Sequence, residues 1–203
     1  MLPVINAMQD AINLVSIDLL DGLDSASIEG ALVEFGVAQG GWLSPMLDHM
    51  ERTGRKRSVF GFDSFEGLSE PNSTYDYPFW YKGEFAFSLE AAAAYLKASE
   101  RPHLQLVKGW VNDTLKQPVA TSISKIAFAK IDVDIYEPSV DCLEYLRDKL
   151  VDGAILFFDD WCYDVNIGET KAFYDWCQTV PQYRFEFIGF INWRLFLRVH
   201  HTK

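Results

Sequence analysis

The apolar positions of the chain change their spacing several times, and each change marks an element. Ile5, Met8, Ile12, Val15 and Leu19 recur at steps of three and four, predicting an amphipathic helix over 4–20 within an N-terminal helical segment, 1–25. Gly30-Ala-Leu-Val-Glu-Phe-Gly36 is a short apolar run closed by a glycine and reads as a buried strand. Helical spacing returns over 42–53, and a second strand follows over 58–63. A helix over 89–99 and a short strand over 104–107 come next. The remaining alternation is a strand over 126–132, a helix over 138–150, a strand over 153–159 and a helix over 169–179. Near-continuous apolar strands separated by helices predict a parallel sheet buried on both faces.

The pattern then changes. Strands over 183–188 and 193–200 are joined by a few residues that include Gly189 and Asn192, which permits an antiparallel hairpin and no parallel crossover. The prediction is therefore an α/β domain, a seven-stranded, mainly parallel sheet with a C-terminal antiparallel hairpin and helices on both faces. That is the class I methyltransferase variant of the Rossmann-like arrangement rather than a simple dinucleotide dehydrogenase. A length of 203 residues suits a single domain, 1–203.

Charge narrows the partners. Lys plus Arg number 18 against 29 Asp plus Glu, a formal charge of -11, and a duplex-binding protein needs a basic face. The one basic cluster, 52–57, reads as a solvated helix end, so nucleic acid is not expected as a partner. No apolar run approaches the ~20 residues that span a bilayer, so no membrane partner is expected either. The first twenty residues carry Asp10 and Asp18 and lack the order of a signal peptide. Cys142, Cys162 and Cys177 have no metal-site spacing, and an odd number without a disulfide framework fits a reducing compartment, the cytoplasm.

Ligands of open α/β sheets bind beyond the carboxyl ends of the strands, where the chemistry-bearing residues of this chain fall. The first strand runs into Glu34-Phe-Gly-Val-Ala-Gln-Gly-Gly41, whose glycines at 36, 40 and 41 allow a tight turn and close approach of a ligand. Ala38 stands where a dinucleotide fingerprint needs its second glycine, and Glu34 suits a cofactor with a cationic aminoacyl group. Asp63 ends the second strand, placed either to accept from a ribose diol or, with Ser64, to cap a turn. Asp132 ends the fourth strand and Asp159-Asp160 the fifth, with Asp134 two residues beyond Asp132. Carboxylates crowded at neighbouring strand ends repel unless a cation or proton intervenes, and an all-oxygen set selects Mg²⁺, with Mn²⁺ or Ca²⁺ as alternatives. The competing role for each aspartate is a helix cap.

These motifs, with Lys108-Gly-Trp-Val-Asn-Asp-Thr-Leu115 between them, resemble the macrocin (TylF-type) O-methyltransferases over roughly 30–175. The resemblance implies S-adenosylmethionine held around Glu34, Gly36, Gly40, Gly41, Asp63, Ser64 and Asp132. It implies Asp132, Asp159 and Asp160 as Mg²⁺ ligands and Asp132 as general base. Asp113 either lines the cofactor site or caps a turn. Residues 69–88, aromatic and without periodicity, are expected to form a lid; their rings face the acceptor, the domain's own core or a second copy in a homo-oligomer. Tyr77 and Trp80 from this segment, with Asp134 and Tyr136, are the expected acceptor contacts. The acceptor is a small-molecule hydroxyl, on a sugar of a natural product or on a catechol-like phenol. The sequence departs from the family at Trp161-Cys162, where a tyrosine usually follows the paired aspartates, and it is short. An NAD-dependent oxidoreductase and a non-catalytic binding module are the rival readings.

Overall fold

Burial on both faces organises the chain. The computed structural model describes residues 2–162 and 164–202, with side chains from position 7 onward. Met1 and Lys203, the ends of the expected domain, and the Ile5 side chain lie outside the described residues. Helix α1 (Leu2–Ser25) precedes β1 (Ala31–Phe35), α2 (Leu43–Thr53), β2 (Val59–Asp63) and α3 (Leu89–Tyr95). A 3-10 turn (Ala98–Glu100), β3 (Leu104–Lys108), the one-turn helices α4 (Val111–Thr114) and α5 (Pro118–Thr121) and β4 (Ile126–Ile131) follow. The chain closes with α6 (Tyr136–Leu146), β5 (Leu150–Phe158), α7 (Gly168–Cys177), β6 (Tyr183–Ile191) and β7 (Arg194–His201).

The seven strands form one sheet in the order β3-β2-β1-β4-β5-β7-β6. Strands β1 to β5 run parallel, and β7 pairs antiparallel with both β5 and β6. The expected hairpin is present, and its second strand is the inner one. Leu195, Phe196 and Leu197 of β7 are all buried, with Phe196 stacked on Phe157 at 4.3 Å, whereas β6 leaves Phe187 65% exposed. The more continuously apolar strand takes the covered position.

Period-two alternation splits the core. Ala154, Leu156 and Phe158 of β5 pack with Val111, Leu143, Leu146, Phe173 and Trp176 of α4, α6 and α7. Ile155 and Phe157 face the other way, among Ile12, Leu20, Leu43, Met46 and Ala92 of α1, α2 and α3.

Several predicted boundaries move. The helix expected over 138–150 occupies Tyr136–Leu146, and β5 begins at Leu150. The strand expected from Gly153 starts three residues earlier, and Gly153 takes φ +86 within it beside a register irregularity against β4. The helix expected over 89–99 stops at Tyr95, because Lys97 adopts φ +50 and starts the 3-10 turn. Residues 64–88 contain neither helix nor strand, as expected of a long connecting segment.

Register brings the chemistry to one rim. Phe35 lies opposite Phe62 and Ile131, and Ile131 opposite Phe158, so the residues after β1, β2, β4 and β5 emerge side by side.

Candidate active site

A cavity of about 370 Å³ opens at that rim. Its walls include Gly36 and Ala38 after β1, Asp63 and Ser64 after β2, and Trp110 and Val111 at the start of α4. Asp132, Val133 and Asp134 come from the end of β4, Asp159 and Asp160 from β5, Arg194 from β7, and Trp80, Phe85 and Phe87 from the connecting segment.

At the glycine-loop side, Gly36 has φ +84, and a methyl group there would fall on the carbonyl oxygen of Asp132. Glycine is needed because the two strand ends touch, whatever else binds. Asp63 Oδ2 accepts from the amides of Val37 and Ala38, each at 2.7 Å, and Oδ1 from Phe65 at 2.5 Å. The carboxylate therefore does the turn-holding work, with lone pairs remaining toward the cavity. Ser64 donates to the Gly67 carbonyl at 2.8 Å and accepts from Glu66, so it too shapes a turn on the cavity wall.

Several expected cofactor contacts lie off the wall. Gly40 packs against the Leu96 side chain, Gly41 faces open space, and Asp113 sits in the first turn of α4 behind Trp110 and Val111. Trp110, not singled out from sequence, is the residue of that motif that reaches the cavity. Glu34 is 1% exposed and points into the protein, where its Oε1 accepts from Lys130 Nζ at 3.1 Å. Burial pushes its carboxyl up to about 8 despite the pull of Lys130, so at neutral pH it is mostly a neutral acceptor for the ammonium.

At the acidic side, Asp132, Asp134 and Asp160 each offer a carboxylate oxygen, and these oxygens all lie within 4.8 Å of one another. Burial and mutual repulsion push Asp134 up to about 10, Asp160 to about 7 and Asp132 to about 6. Three carboxyl groups so placed fit a hard divalent cation, which would relieve the repulsion that otherwise forces protons onto them.

This grouping differs from the expected Asp132, Asp159 and Asp160. Asp159 is already between two cations: Oδ2 meets Arg194 at 2.8 Å and Oδ1 meets Lys130 at 3.3 Å. Asp134 joins the group where the chain turns with φ +60, a conformation that aspartate tolerates.

Lys130 is the residue sequence reasoning passed over. It is 4% exposed and bonds Glu34, Asp132 and Asp159 together, with Nζ 2.5 Å from Asp132 Oδ2. Burial opposes its charge, but the three carboxyl groups outweigh that and hold the ammonium well above its ordinary range. A lysine inside the otherwise apolar run Ile126–Ile131 was the available signal.

The aromatic segment is divided. Residues 72–76 are pinned: Asp76 accepts from Asn72 and Tyr136 amides at 2.7 Å, the Gly168 amide donates to the Tyr75 carbonyl, and Tyr75 packs on Tyr136 at 4.8 Å. Tyr136 is thus a packing partner of the segment, its hydroxyl donating to Asp175, and it does not line the cavity. Tyr77 stacks on Phe79 at 5.0 Å beside Trp80, which does line it.

Sequence and fold comparisons bear on this arrangement. The profile of the macrocin O-methyltransferase (TylF) family matches residues 16–179. The chain belongs to that family. It is 31% identical over 146 residues to 8-demethyl-8-(2,3-dimethoxy-alpha-L-rhamnosyl)-tetracenomycin-C 4'-O-methyltransferase of Streptomyces olivaceus, covering 68% of this chain and 55% of the relative. It is 28% identical over 168 residues to demethyldecarbamoylnovobiocin O-methyltransferase of Streptomyces niveus, covering 73% and 61%. The chain thus spans less than two thirds of the length of these curated relatives. Among solved structures, the O-methyltransferase NovP superposes with a TM-score of 0.73 at 20% identity, over 94% of this chain and 78% of that one. The calicheamicin methyltransferase CalS11 gives 0.71 at 25% identity, over 93% and 79%. The class I methyltransferase fold expected of this TylF-family chain is therefore its fold, and the oxidoreductase alternative gives way. No helix among the described residues is long and apolar enough to cross a membrane.

Proposed function

We propose that this protein transfers the methyl group of S-adenosylmethionine to a hydroxyl of a small glycosylated natural product, with a divalent cation, Mg²⁺ first, at Asp132, Asp134 and Asp160. The observation that carries the reading is the shared cavity: the glycine-loop rim and the acidic rim open into the same 370 Å³. Transfer from a sulfonium needs the donor and an oxygen nucleophile in line, and holding both in one space supplies proximity. Asp132, Asp134 and Asp160 would hold the cation, which would lower the pKa of a coordinated hydroxyl and fix its direction.

The chain's own residues do the remainder. The Asp63 carboxylate holds the Val37 and Ala38 amides, which keeps the loop after β1 folded back at the donor end. Asp132 lines the cavity and is the proposed general base, its carboxylate held in place by Lys130. Arg194 keeps Asp159 beside the site as a neutralised wall. Trp80, Phe85 and Phe87 present apolar surface that shields the reacting groups from water.

The names of the two Streptomyces relatives, a rhamnosyl-tetracenomycin methyltransferase and a demethyldecarbamoylnovobiocin methyltransferase, support a glycosylated acceptor. The test is transfer of label from methyl-labelled S-adenosylmethionine to a panel of aryl rhamnosides and catechols, with Mg²⁺ or with chelator. Labelled rhamnoside in the presence of Mg²⁺ alone is the expected result. Labelling of catechols only would replace the acceptor, labelling in chelator would remove the cation, and no labelling of any acceptor would overturn the reading.

A further inference from the structure

We infer that Glu169 is a positioning residue whose buried carboxylate sets the chain after β4 and the chain after β5 so that Asp134 and Asp160 share one site. Glu169 lies in the first turn of α7 and is completely buried. Its Oε1 accepts from the amides of Val133 at 2.9 Å and Asp134 at 3.2 Å, and its Oε2 from the amide of Asp160 at 3.2 Å. One side chain thus ties together two strand ends that carry two of the three clustered carboxyl groups. Among the described residues no lysine, arginine or histidine forms an ion pair with it, and its hydrogen bonds come from those three amides.

Asp134 gives the arrangement its consequence. The chain turns there with φ +60, and the Glu169 bond to the Asp134 amide braces that turn from outside the loop. The Asp134 carbonyl also packs against Gly168, where a methyl group would crowd it, so α7 meets this turn through two successive residues. Thr170 continues the same work on the β5 side, accepting from the Cys162 amide at 2.8 Å. The N-terminal turn of α7 is therefore the jig on which the acidic rim is assembled, and Glu169 is the one residue of it that holds both loops.

The inference rests on the proposed cation site, and its test reads metal alone. Mn²⁺ is titrated into chelator-treated wild type, Glu169→Gln and Glu169→Ala, with free Mn²⁺ followed by electron paramagnetic resonance and folding followed by near-UV circular dichroism. Loss of such an outer partner weakens metal affinity by about 10–100-fold, the result expected for Glu169→Ala. Glu169→Gln keeps an acceptor for Val133 and Asp134 but turns an amide donor toward the Asp160 amide, so its loss is smaller. A folded variant with Mn²⁺ affinity within about twofold of wild type would overturn the inference, because a carboxylate that only stabilises the fold would lower the melting temperature and leave affinity alone. Should the alanine variant not fold, the isosteric glutamine variant carries the comparison. Wild type that binds no Mn²⁺ sinks the cation reading instead. Amide exchange then decides: faster exchange at Asp160, whose acceptor is the one lost in Glu169→Gln, upholds the positioning role, and unchanged exchange there overturns it.

Discussion

At the β4–β5 end of the cavity the buried Lys130 holds the Asp132 and Asp159 side chains and the buried Glu169 holds the Asp134 and Asp160 amides, whereas at the 77–87 end the aromatic side chains are held mostly by one another. Lys130 is 4% exposed and bonds three carboxyl groups, and Glu169 is wholly buried on three amides. Phe79, Tyr81 and Phe85 are 61%, 61% and 50% exposed, and the contacts of Phe79, Trp80 and Phe85 run ring to ring at 4.9 and 5.6 Å. Buried, bonded charge defines a position sharply because any displacement leaves a group unsatisfied. Exposed rings on a segment without helix or strand can rearrange at low cost. Under the proposed function, one end of the cavity would fix the reacting groups and the other would accommodate what is brought to them.

The sharpest way to break the fixed end is at its proposed base. Asp132→Asn removes the proton acceptor while keeping the shape, and kcat is expected to fall by about 10²–10⁴-fold, measured by label transfer at saturating donor. Retention of kcat within tenfold would move the base to another carboxylate.

Lys130→Met attacks the same end through stability. It leaves Asp132 and Asp159 without their shared buried cation, and breaking such a pair costs about 3–5 kcal/mol in urea unfolding. A cost below about 1 kcal/mol would mean the network relaxes, against the rigidity claimed for it.

Glu34→Gln sharpens the comparison through pH. The native carboxyl, at about 8, stays protonated above the ordinary value of 4.5, so the native state holds a proton that the unfolded chain has lost. Its contribution is fully present below about 4.5 and is lost as pH rises through about 8. Between those values wild-type stability should fall with rising pH more steeply than that of the variant, by up to one proton, about 1.4 kcal/mol per unit. Parallel pH profiles of urea unfolding would show that Glu34 is ionised in the native state.

The smallest expected effect is at the adaptable end. Phe79→Ala removes one member of an exposed ring stack, so stability should change by no more than about 1 kcal/mol. The acceptor KM should rise while kcat holds. A fall in kcat equal to that in kcat/KM would show that the segment fixes the reacting geometry after all.

The sequence was most legible where one physical rule dominated. Period and apolar run length located all seven strands and the C-terminal hairpin, because two-sided burial leaves no choice of residue in strands such as Ala31–Phe35. That Asp63, Asp132, Asp134, Asp159 and Asp160 gather at one cavity was legible because strand ends of a parallel sheet meet at one rim. Pairings across the chain were not. Nothing in the spacing of Asp159 reveals that Arg194, 35 positions on in β7, neutralises it. Glu169 looked like an ordinary acid at a helix start, the place where acids are common. Its role appears only when α7 is docked against two loops. The bond between Glu34 and Lys130 on the neighbouring strand was hidden for a related reason, since it joins residues 96 positions apart.

The central claim is that donor end and acidic end serve one reaction through one cation-holding cavity. Calorimetric titration of S-adenosylhomocysteine and of Mg²⁺ into chelator-treated wild type and Asp160→Ala tests it most directly. The account predicts that both proteins bind S-adenosylhomocysteine and that only wild type binds Mg²⁺. Failure of wild type to bind S-adenosylhomocysteine, or equal Mg²⁺ binding by both proteins, would contradict it.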